Sequence, residues 1–416
     1  VSTRLPDLEG YRGLAAVGIV VFHAYQFCRG DTTSSYAYPH TMAQSVLRNL
    51  DGLVSMFLIL SAYLLYLPVA RKVFQGKEPG PIRVFALRRV TRIFPLYWSA
   101  ILLVWAYRNP GLPGDWRDLL EHLTFTQVFD SRRIFYTIGP AWSLSVEVWF
   151  YLFLAAVYAV LNQVVRRTVS RRSRWTVLLA APVLLTLASV AWQVWALFIT
   201  HQPATRWAIW FNPIARADML AIGMFIALIH ASRTSTGPTS RALLVPLRIT
   251  ALALLIYGCA IRTDDPINTA IFNLVSTIAF GLLIASSVFD DPTHLWRRAL
   301  AGPRLAWLGL VSYSLYIWHE PVLLDLDTHL HLTHSQAAFP VIAILLLAAS
   351  LPIAWLSHHA VEKPLGRLRL LLNSNGQRRD YYPAATYHQL VNPSRMTVAS
   401  SSVEGNPPLD TGGLSR

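Results

Sequence analysis

The chain has 416 residues, is 54% hydrophobic and only 14% charged, and has a net charge of +14 that is carried almost wholly by arginine. Soluble domains carry roughly 25% charged residues, and here the apolar residues come in blocks of about 18–22 separated by short polar stretches, so an ordinary soluble domain is excluded in favour of an all-α, polytopic membrane bundle. The blocks do not alternate apolar and polar residues as a transmembrane barrel would, and two cysteines are too few for a disulfide framework.

Ten spans are predicted, at about residues 10–28, 51–70, 93–107, 139–161, 175–199, 214–231, 242–260, 268–289, 305–326 and 338–358. With the N-terminus inside, the cytoplasmic segments hold about 23 basic residues and the opposite loops about 8, a bias that places both termini in the cytoplasm. This orientation signal accounts for the positive charge without nucleic acid. The first apolar block lacks a basic leader and a small-residue cleavage site, so it is expected to stay as a helix. Residues 1–372 form the membrane domain. From 373 to 416 the chain is rich in Ser, Pro, Gly and Asn and has no helical periodicity, which predicts a disordered cytoplasmic tail. Cys28 and Cys259 fall near predicted outer helix ends, where a single bridge is open to them.

Ionisable residues within spans cost about 2.5–3.5 kcal/mol on insertion scales and are functional candidates by default. Span one, EGYRGLAAVGIVVFHAYQ, holds Arg12 and His23. Eleven residues at about 100° each bring the two side chains onto one face, about 16 Å apart along the axis. Arg12 then lies near the cytoplasmic surface and His23 in the outer half. Arg12 also reads as a snorkelling anchor, and His23 as an interhelical hydrogen-bonding group. Span two places Ser61 near mid-membrane, where a serine usually bonds a backbone carbonyl or a neighbouring helix. The loop before span three, RVFALRRVTRIFPLYW, offers Arg88, Arg89 and Arg92, suited either to orientation or to an anion, since paired arginines fit phosphate.

Span four opens GPAWSLSVEVWFY, in which Ser143, Glu147 and Tyr151 share a face at i, i+4 and i+8. A carboxylate at this depth must be protonated or paired. Span nine, WLGLVSYSLYIWHEPVLL, puts Ser312, Tyr316 and His319 on one face, with Pro321 as a site for a kink or break. His329, His331 and His334 in the following outer loop read as incidental rather than as metal ligands, and His358 and His359 as interfacial residues. No metal site is expected.

These groups sort into two layers. The inner one is cationic: Arg12, Arg88, Arg89 and Arg92. The outer one has acid–base character: His23, Glu147 and His319, with Ser143 and Tyr316. A phosphate-bearing molecule anchored at the inner layer and reaching about 16 Å outward along the helix matches the order of length of the pantetheine arm of an acyl-CoA.

Five blocks, in order, resemble the acyltransferase-3 family of integral membrane acyltransferases. LEGYRGLAAVGIVVFH is similar to the family's opening helix, with its Arg-ten residues-His spacing at Arg12 and His23. FLILSAYLL, RRVTRIFPLYW, AWSLSVEVWFYL and SYSLYIWHEPVL resemble its Ser-Gly, Arg-x-x-Arg, Trp-Ser-Leu-x-x-Glu and Ser-Tyr-x-x-Tyr-x-x-His-x-Pro blocks, and HHAVEKPL is a weaker echo of its last helix. Glu9 replaces the usual Asp of the opening motif, Ala62 the Gly after Ser61, and Leu58 one aromatic.

The resemblance implies an O-acyltransferase that moves an acyl group, most often acetyl, from cytoplasmic acyl-CoA to a hydroxyl. Acceptors in the family include surface polysaccharides, peptidoglycan, glycolipids and macrolide antibiotics. The acyl-CoA is a donor substrate, with no bound cofactor. Arg12, Arg89 and Arg92 are expected at its phosphates, and His23 as general base on the acceptor hydroxyl, with a histidine-bound acyl intermediate as the rival. Glu147 is the second catalytic candidate, either pairing with an arginine, binding the acceptor or orienting His23. Ser143, Tyr316 and His319 are expected to line the acceptor pocket, and Glu9 the cytoplasmic mouth. The expected location is a bacterial plasma membrane, crossed several times. The alternative class is a transporter or flippase of a lipid-linked sugar, which polar midplane residues would also suit.

Overall fold

The computed structural model describes residues 6–29, 41–111, 113–167, 170–233, 239–263 and 265–365. Arg4 and the tail expected at 373–416 lie outside the described residues. Among those described there is no strand. Ten long helices carry the architecture: α1 (Pro6–Phe27), α2 (Val54–Phe74), α3 (Ile82–Arg108), α4 (Trp142–Arg167), α5 (Arg171–Val194), α6 (Ala217–Ser232), α7 (Arg241–Ile261), α8 (Pro266–Val288), α9 (Pro303–Leu330) and α10 (Phe339–Ser357). Each predicted span falls on one of them, because an apolar run in lipid can satisfy its backbone only by coiling on itself.

Among the described residues, seven helices are long and apolar enough to cross a membrane by length and composition. They include α2, α3, α4, α5, α7, α8 and α10. Of the others, α6 is short, at 16 residues. The remaining two, α1 and α9, are diluted by Asp7, Glu9, Arg12 and His23 and by Ser312, Ser314, His319 and Glu320. The two helices that carry the histidine pair thus resemble lipid spans less than their neighbours do. Outward-facing Ile249, Leu252 and Ile256 on α7 and Val341 and Ile344 on α10 are exposed, forming apolar surface suited to lipid.

Several expectations are corrected. The basic block before span three is not a loop, since α3 begins at Ile82 and Arg83, Arg88, Arg89 and Arg92 lie on its first three turns. Pro321 does not break α9, which runs on to Leu330. Cys28 and Cys259 are free thiols. Short helices absent from the span count are Met42–Arg48, Trp116–Leu123, Trp207–Phe211 and Leu295–Leu300. Their apolar runs are too short to register as spans.

The bundle is organised by close pairs: α1 with α9, α2 with α6, α7 with α8, and α9 with α10. Two of these pairs are backbone-to-backbone contacts made possible by glycine. A Cβ on Gly309 of α9 would sit 2.2 Å from the Glu9 carbonyl oxygen of α1, and one on Gly223 of α6 would sit 2.2 Å from the Ile59 carbonyl oxygen of α2. Small residues at such crossings let membrane helices gain dispersion contacts that apolar burial cannot supply in lipid. The first turn of α1 is fixed by charge as well. Buried Asp7 accepts two hydrogen bonds from Arg297, at 3.0 and 3.1 Å, and Arg297 also donates to the Asp290 carbonyl at 2.9 Å. Tyr11 and Ser287 bond each other at 2.8 Å, tying α1 to the end of α8.

Gly309→Ala is expected to destabilise the protein by about 1–3 kcal/mol through overpacking, read as a lower melting temperature in detergent. Gly111→Ala, where a Cβ would meet nothing within 4 Å, serves as the neutral control.

Candidate functional site

The close crossing of α1 and α9 brings His23 against His319. Their ring centroids are 5.0 Å apart, although 296 residues separate them in sequence. His319 is fully buried. Its Nδ1 lies 3.2 Å from the Leu315 carbonyl oxygen one turn back. A carbonyl only accepts, so Nδ1 carries the proton and Nε2 keeps its lone pair. That Nε2 is buried and has no hydrogen-bond partner among the described residues. It is a free basic lone pair aimed into the bundle.

The neighbours of His319 hold the start of α4. Tyr316, whose ring lies 5.8 Å from that of His319, donates to the Pro140 carbonyl at 3.0 Å. Ser143 Oγ lies 2.8 Å from the Tyr316 hydroxyl. Glu320, on the other side of His319, accepts a hydrogen bond from the Gly139 amide. A side chain at position 139 would collide with this carboxylate, 2.5 Å from the Cβ position. Ser143, Tyr316, His319 and His23 therefore form one cluster, four of the five residues that the sequence grouped as the outer layer.

The inner cluster forms around Glu147. Its Oε1 accepts hydrogen bonds from Ser61 of α2 and, at 2.5 Å, from Tyr151 one turn on. Arg12 and Arg92 act electrostatically on each other and on Glu147 and Tyr151. Arg89 faces the same pair, its guanidinium carbon 5.9 Å from the Tyr151 ring centroid. Arg12 also stands 3.9 Å from Glu9, and Arg92 is within reach of Glu362. The Nε atoms of Arg12 and Arg89 are buried without a hydrogen-bond partner among the described residues. Arg88, grouped with these by sequence, is exposed on the helix surface.

Depth alone had sorted Glu147 with the histidines. The structure joins it to the arginines, with Ser61 as a cross-helix partner. The i, i+4 relation of Glu147 to Tyr151 was visible in the sequence, whereas the contribution of Ser61 depends on how α2 packs on α4. Glu320 and its contact with Gly139 went unnoticed, since a carboxylate beside a proline reads as a helix end. Arg12, Arg89 and Arg92 converge on Glu147, with Glu9 and Glu362 at the margin, and neighbouring guanidinium groups of this kind suit a phosphate. Because α1 is unbroken, Arg12 and His23 sit about 16 Å apart along it, while on α4 the clusters adjoin, Ser143 and Glu147 being one turn apart. His329, expected in a loop, lies on the last turn of α9 and pairs with Asp325 at 3.5 Å, and His334 beyond the helix pairs with Asp327 at 3.7 Å.

The family model for the acyltransferase domain matches residues 5–359. The chain belongs to the acyltransferase-3 family. It is 26% identical over 407 residues to the acyltransferase MdmB of Streptomyces mycarofaciens, covering 92% of this chain and 98% of that protein. It is 22% identical to the peptidoglycan O-acetyltransferase OatA of Listeria monocytogenes and 23% identical to the O-acetyltransferase OatA of Staphylococcus aureus. Those two matches cover 87% of this chain but 56% and 57% of the respective relatives. No solved structure matches. The family, its bacterial relatives and the apolar helices together identify a multi-pass acyltransferase of the plasma membrane.

Removing the carboxylate in Glu147→Ala leaves the arginines facing one another without their central counter-charge. The expected outcome is a melting temperature several degrees lower, which millimolar pyrophosphate restores more in the variant than it raises in the wild type. An unchanged melting temperature with no gain from pyrophosphate would show that the arginines do not depend on Glu147.

Proposed function

We propose that the protein is an O-acyltransferase that carries an acyl group, in the first instance acetyl, from cytoplasmic acyl-CoA to a hydroxyl presented from the outer side of the membrane. The observation that carries this reading is that Arg12 of the arginine cluster and His23 of the histidine pair share one unbroken helix, about 16 Å apart along it. Ten spans with both termini in the cytoplasm give α1 the polarity this requires, with Arg12 inward and His23 outward, in keeping with the arginine-rich inner loops.

In this reading Arg12, Arg89 and Arg92 bind the phosphates of the donor, and the pantetheine arm runs along α1 between the clusters. Glu147, held by Ser61 and Tyr151, keeps the guanidinium groups apart and oriented. The thioester carbonyl lies at the histidine pair. His23 takes the proton from the acceptor hydroxyl as its oxygen attacks the carbonyl carbon, and the carbon–sulfur bond breaks to release the CoA thiolate. His319, with Nδ1 committed to the Leu315 carbonyl, has its Nε2 lone pair available to accept from a second hydroxyl of the acceptor. Ser143 and Tyr316 border the acceptor side. The acceptor class is a carbohydrate, glycolipid or secondary-metabolite hydroxyl.

His23→Ala is expected to lower acyl transfer from labelled acetyl-CoA by about 10²–10⁴-fold, the usual worth of a general base, with donor binding retained. Wild-type turnover in that variant would reject the assignment. Arg89→Ala is expected to lose most of the thermal stabilisation that acetyl-CoA confers on the wild type. If acetyl-CoA stabilises both proteins equally, the phosphates bind elsewhere. Mass spectrometry of surface glycans and secreted metabolites with and without the gene, searching for a 42 Da difference (one acetyl group), names the acceptor.

A further inference from the structure

One carboxylate of α9 has no part in the mechanism above. Glu320 directly follows His319 and accepts a hydrogen bond from the Gly139 amide. Gly139 opens a single tight turn, Gly139–Ala141, that leads into α4. The next residue of that turn is gripped from the same helix, since Tyr316 donates to the Pro140 carbonyl at 3.0 Å. The one proton of Tyr316 is then spent, so Ser143 donates to the Tyr316 oxygen, at 2.8 Å. Tyr316 and Glu320 are one helical turn apart on α9, and they take consecutive residues of the turn. His319 lies between them in the chain.

We infer that Glu320 is a positioning residue: with Tyr316 it clamps α9 onto the turn before α4 and so fixes where His319 presents its Nε2. The turn serves as the fixed partner because it is also held from another side. The Thr137 hydroxyl donates to Asp118, a fully buried residue on the short helix Trp116–Leu123. α9, by contrast, is weak at this level. Pro321 has no N–H for the Ile317 carbonyl, so the helix lacks one of its own bonds just beyond Glu320, and a membrane helix makes up such a loss through its neighbours. A carboxylate suits the task. Its bond to an amide is charge-assisted, and the start of a helix favours negative charge.

A bond that served stability alone could lie anywhere along the contact of α4 with α9. These two bracket the imidazole instead. The His319 ring is tied through Nδ1 to Leu315 of its own helix, so it turns with that segment, and whatever sets the rotation of the segment sets the direction of Nε2. His23 cannot do this from α1. Its ring centroid is 5.0 Å away, and among the described residues no hydrogen bond reaches the His319 Nε2. Arg108, on the last turn of α3, acts on the Glu320 carboxylate and donates to the Tyr136 carbonyl, so a third long helix meets the same corner. The inference rests on His319 facing the acceptor, as proposed above, and adds the residue that aims it.

The test uses the full chain and two readouts. The first is NMR of protein carrying nitrogen-15 histidine in detergent, in which the His319 Nδ1–H resonance is assigned by its absence in His319→Gln. In Glu320→Ala this resonance is expected to shift and its proton to exchange with water about tenfold faster, as a locally loosened segment allows. Glu320→Gln, which still offers an oxygen to the Gly139 amide, is expected to restore it. Gly139→Ala, whose Cβ would stand 2.5 Å from Glu320 Oε1, is expected to reproduce Glu320→Ala from the other side of the contact, and the double variant to be no worse than Glu320→Ala alone. The second readout is release of CoA thiol from acetyl-CoA by membranes of the source cells, which hold the native acceptor, with the chromosomal gene replaced by each variant. Turnover is expected to fall about 10–100-fold in Glu320→Ala, the cost of a misplaced group, with KM for acetyl-CoA unchanged and most of the loss recovered in Glu320→Gln. An unmoved His319 resonance in folded Glu320→Ala or in Gly139→Ala, no recovery in Glu320→Gln, or wild-type turnover in Glu320→Ala overturns the inference. A wild type that releases no CoA thiol, with the His319 resonance following Glu320 as expected, counts against the donor reading and leaves the clamp standing.

Discussion

The contact on which the rest depends is the crossing of α1 over α9 at Gly309. In lipid, two helices gain little from apolar burial and must instead approach until their backbones touch. Gly309 allows that approach, with a would-be Cβ inside the space of the Glu9 carbonyl. Gly10 and Gly13 do the same for α1, where a Cβ would reach 2.1 Å from the Leu300 and 2.7 Å from the Leu305 carbonyl oxygens. The two imidazoles then meet several turns further out without any direct bond between them. Asp7 and Arg297 lock the inner end of the same pair. One helix contact thus sets the position of groups from three motifs widely separated along the chain.

Charge follows from this geometry. A guanidinium cannot sit in a low-dielectric interior unless something answers it, and Glu147, Glu9 and Glu362 answer the three arginines. Ser61 and Tyr151 spend their hydroxyl protons on Glu147, which keeps the carboxylate from turning fully toward any one arginine. The result is a preorganised, arginine-lined cradle. In the histidine cluster the logic is reversed: among the described residues no ion pair reaches either imidazole, and what is arranged there is a lone pair and hydroxyls rather than charge. Under the proposed mechanism the phosphate end and the chemical end differ in the groups they present.

Much of this was legible in the sequence, and the limits have physical causes. The spans follow from apolar length, and the shared face of Arg12 and His23 from helical repeat. The alignment of Ser143, Glu147 and Tyr151 follows from the same repeat. What one-helix arithmetic cannot supply is the rotation of one helix against another. Ser61 was therefore read as an ordinary membrane serine, and Glu147 was sorted by depth with the wrong neighbours. The arginines of α3 looked like a loop because their charge masks an amphipathic helix that has protein rather than water on one side. Nothing local to Arg216 indicates that Phe211 and Trp142 will flank it.

The uninterrupted course of α1 has a consequence for which donors can react. Under the proposed mechanism the helix acts as a ruler, with its zero at the arginines and its mark at the imidazoles. A compact acyl phosphate carries the same anionic handle as an acyl-CoA but no arm. Seated on the arginines, its carbonyl stops several helical turns short of His23. Such a molecule occupies the cradle as a competitor and is never consumed, so selectivity for the carrier is written in the length of a helix rather than in any pocket that recognises the carrier's structure.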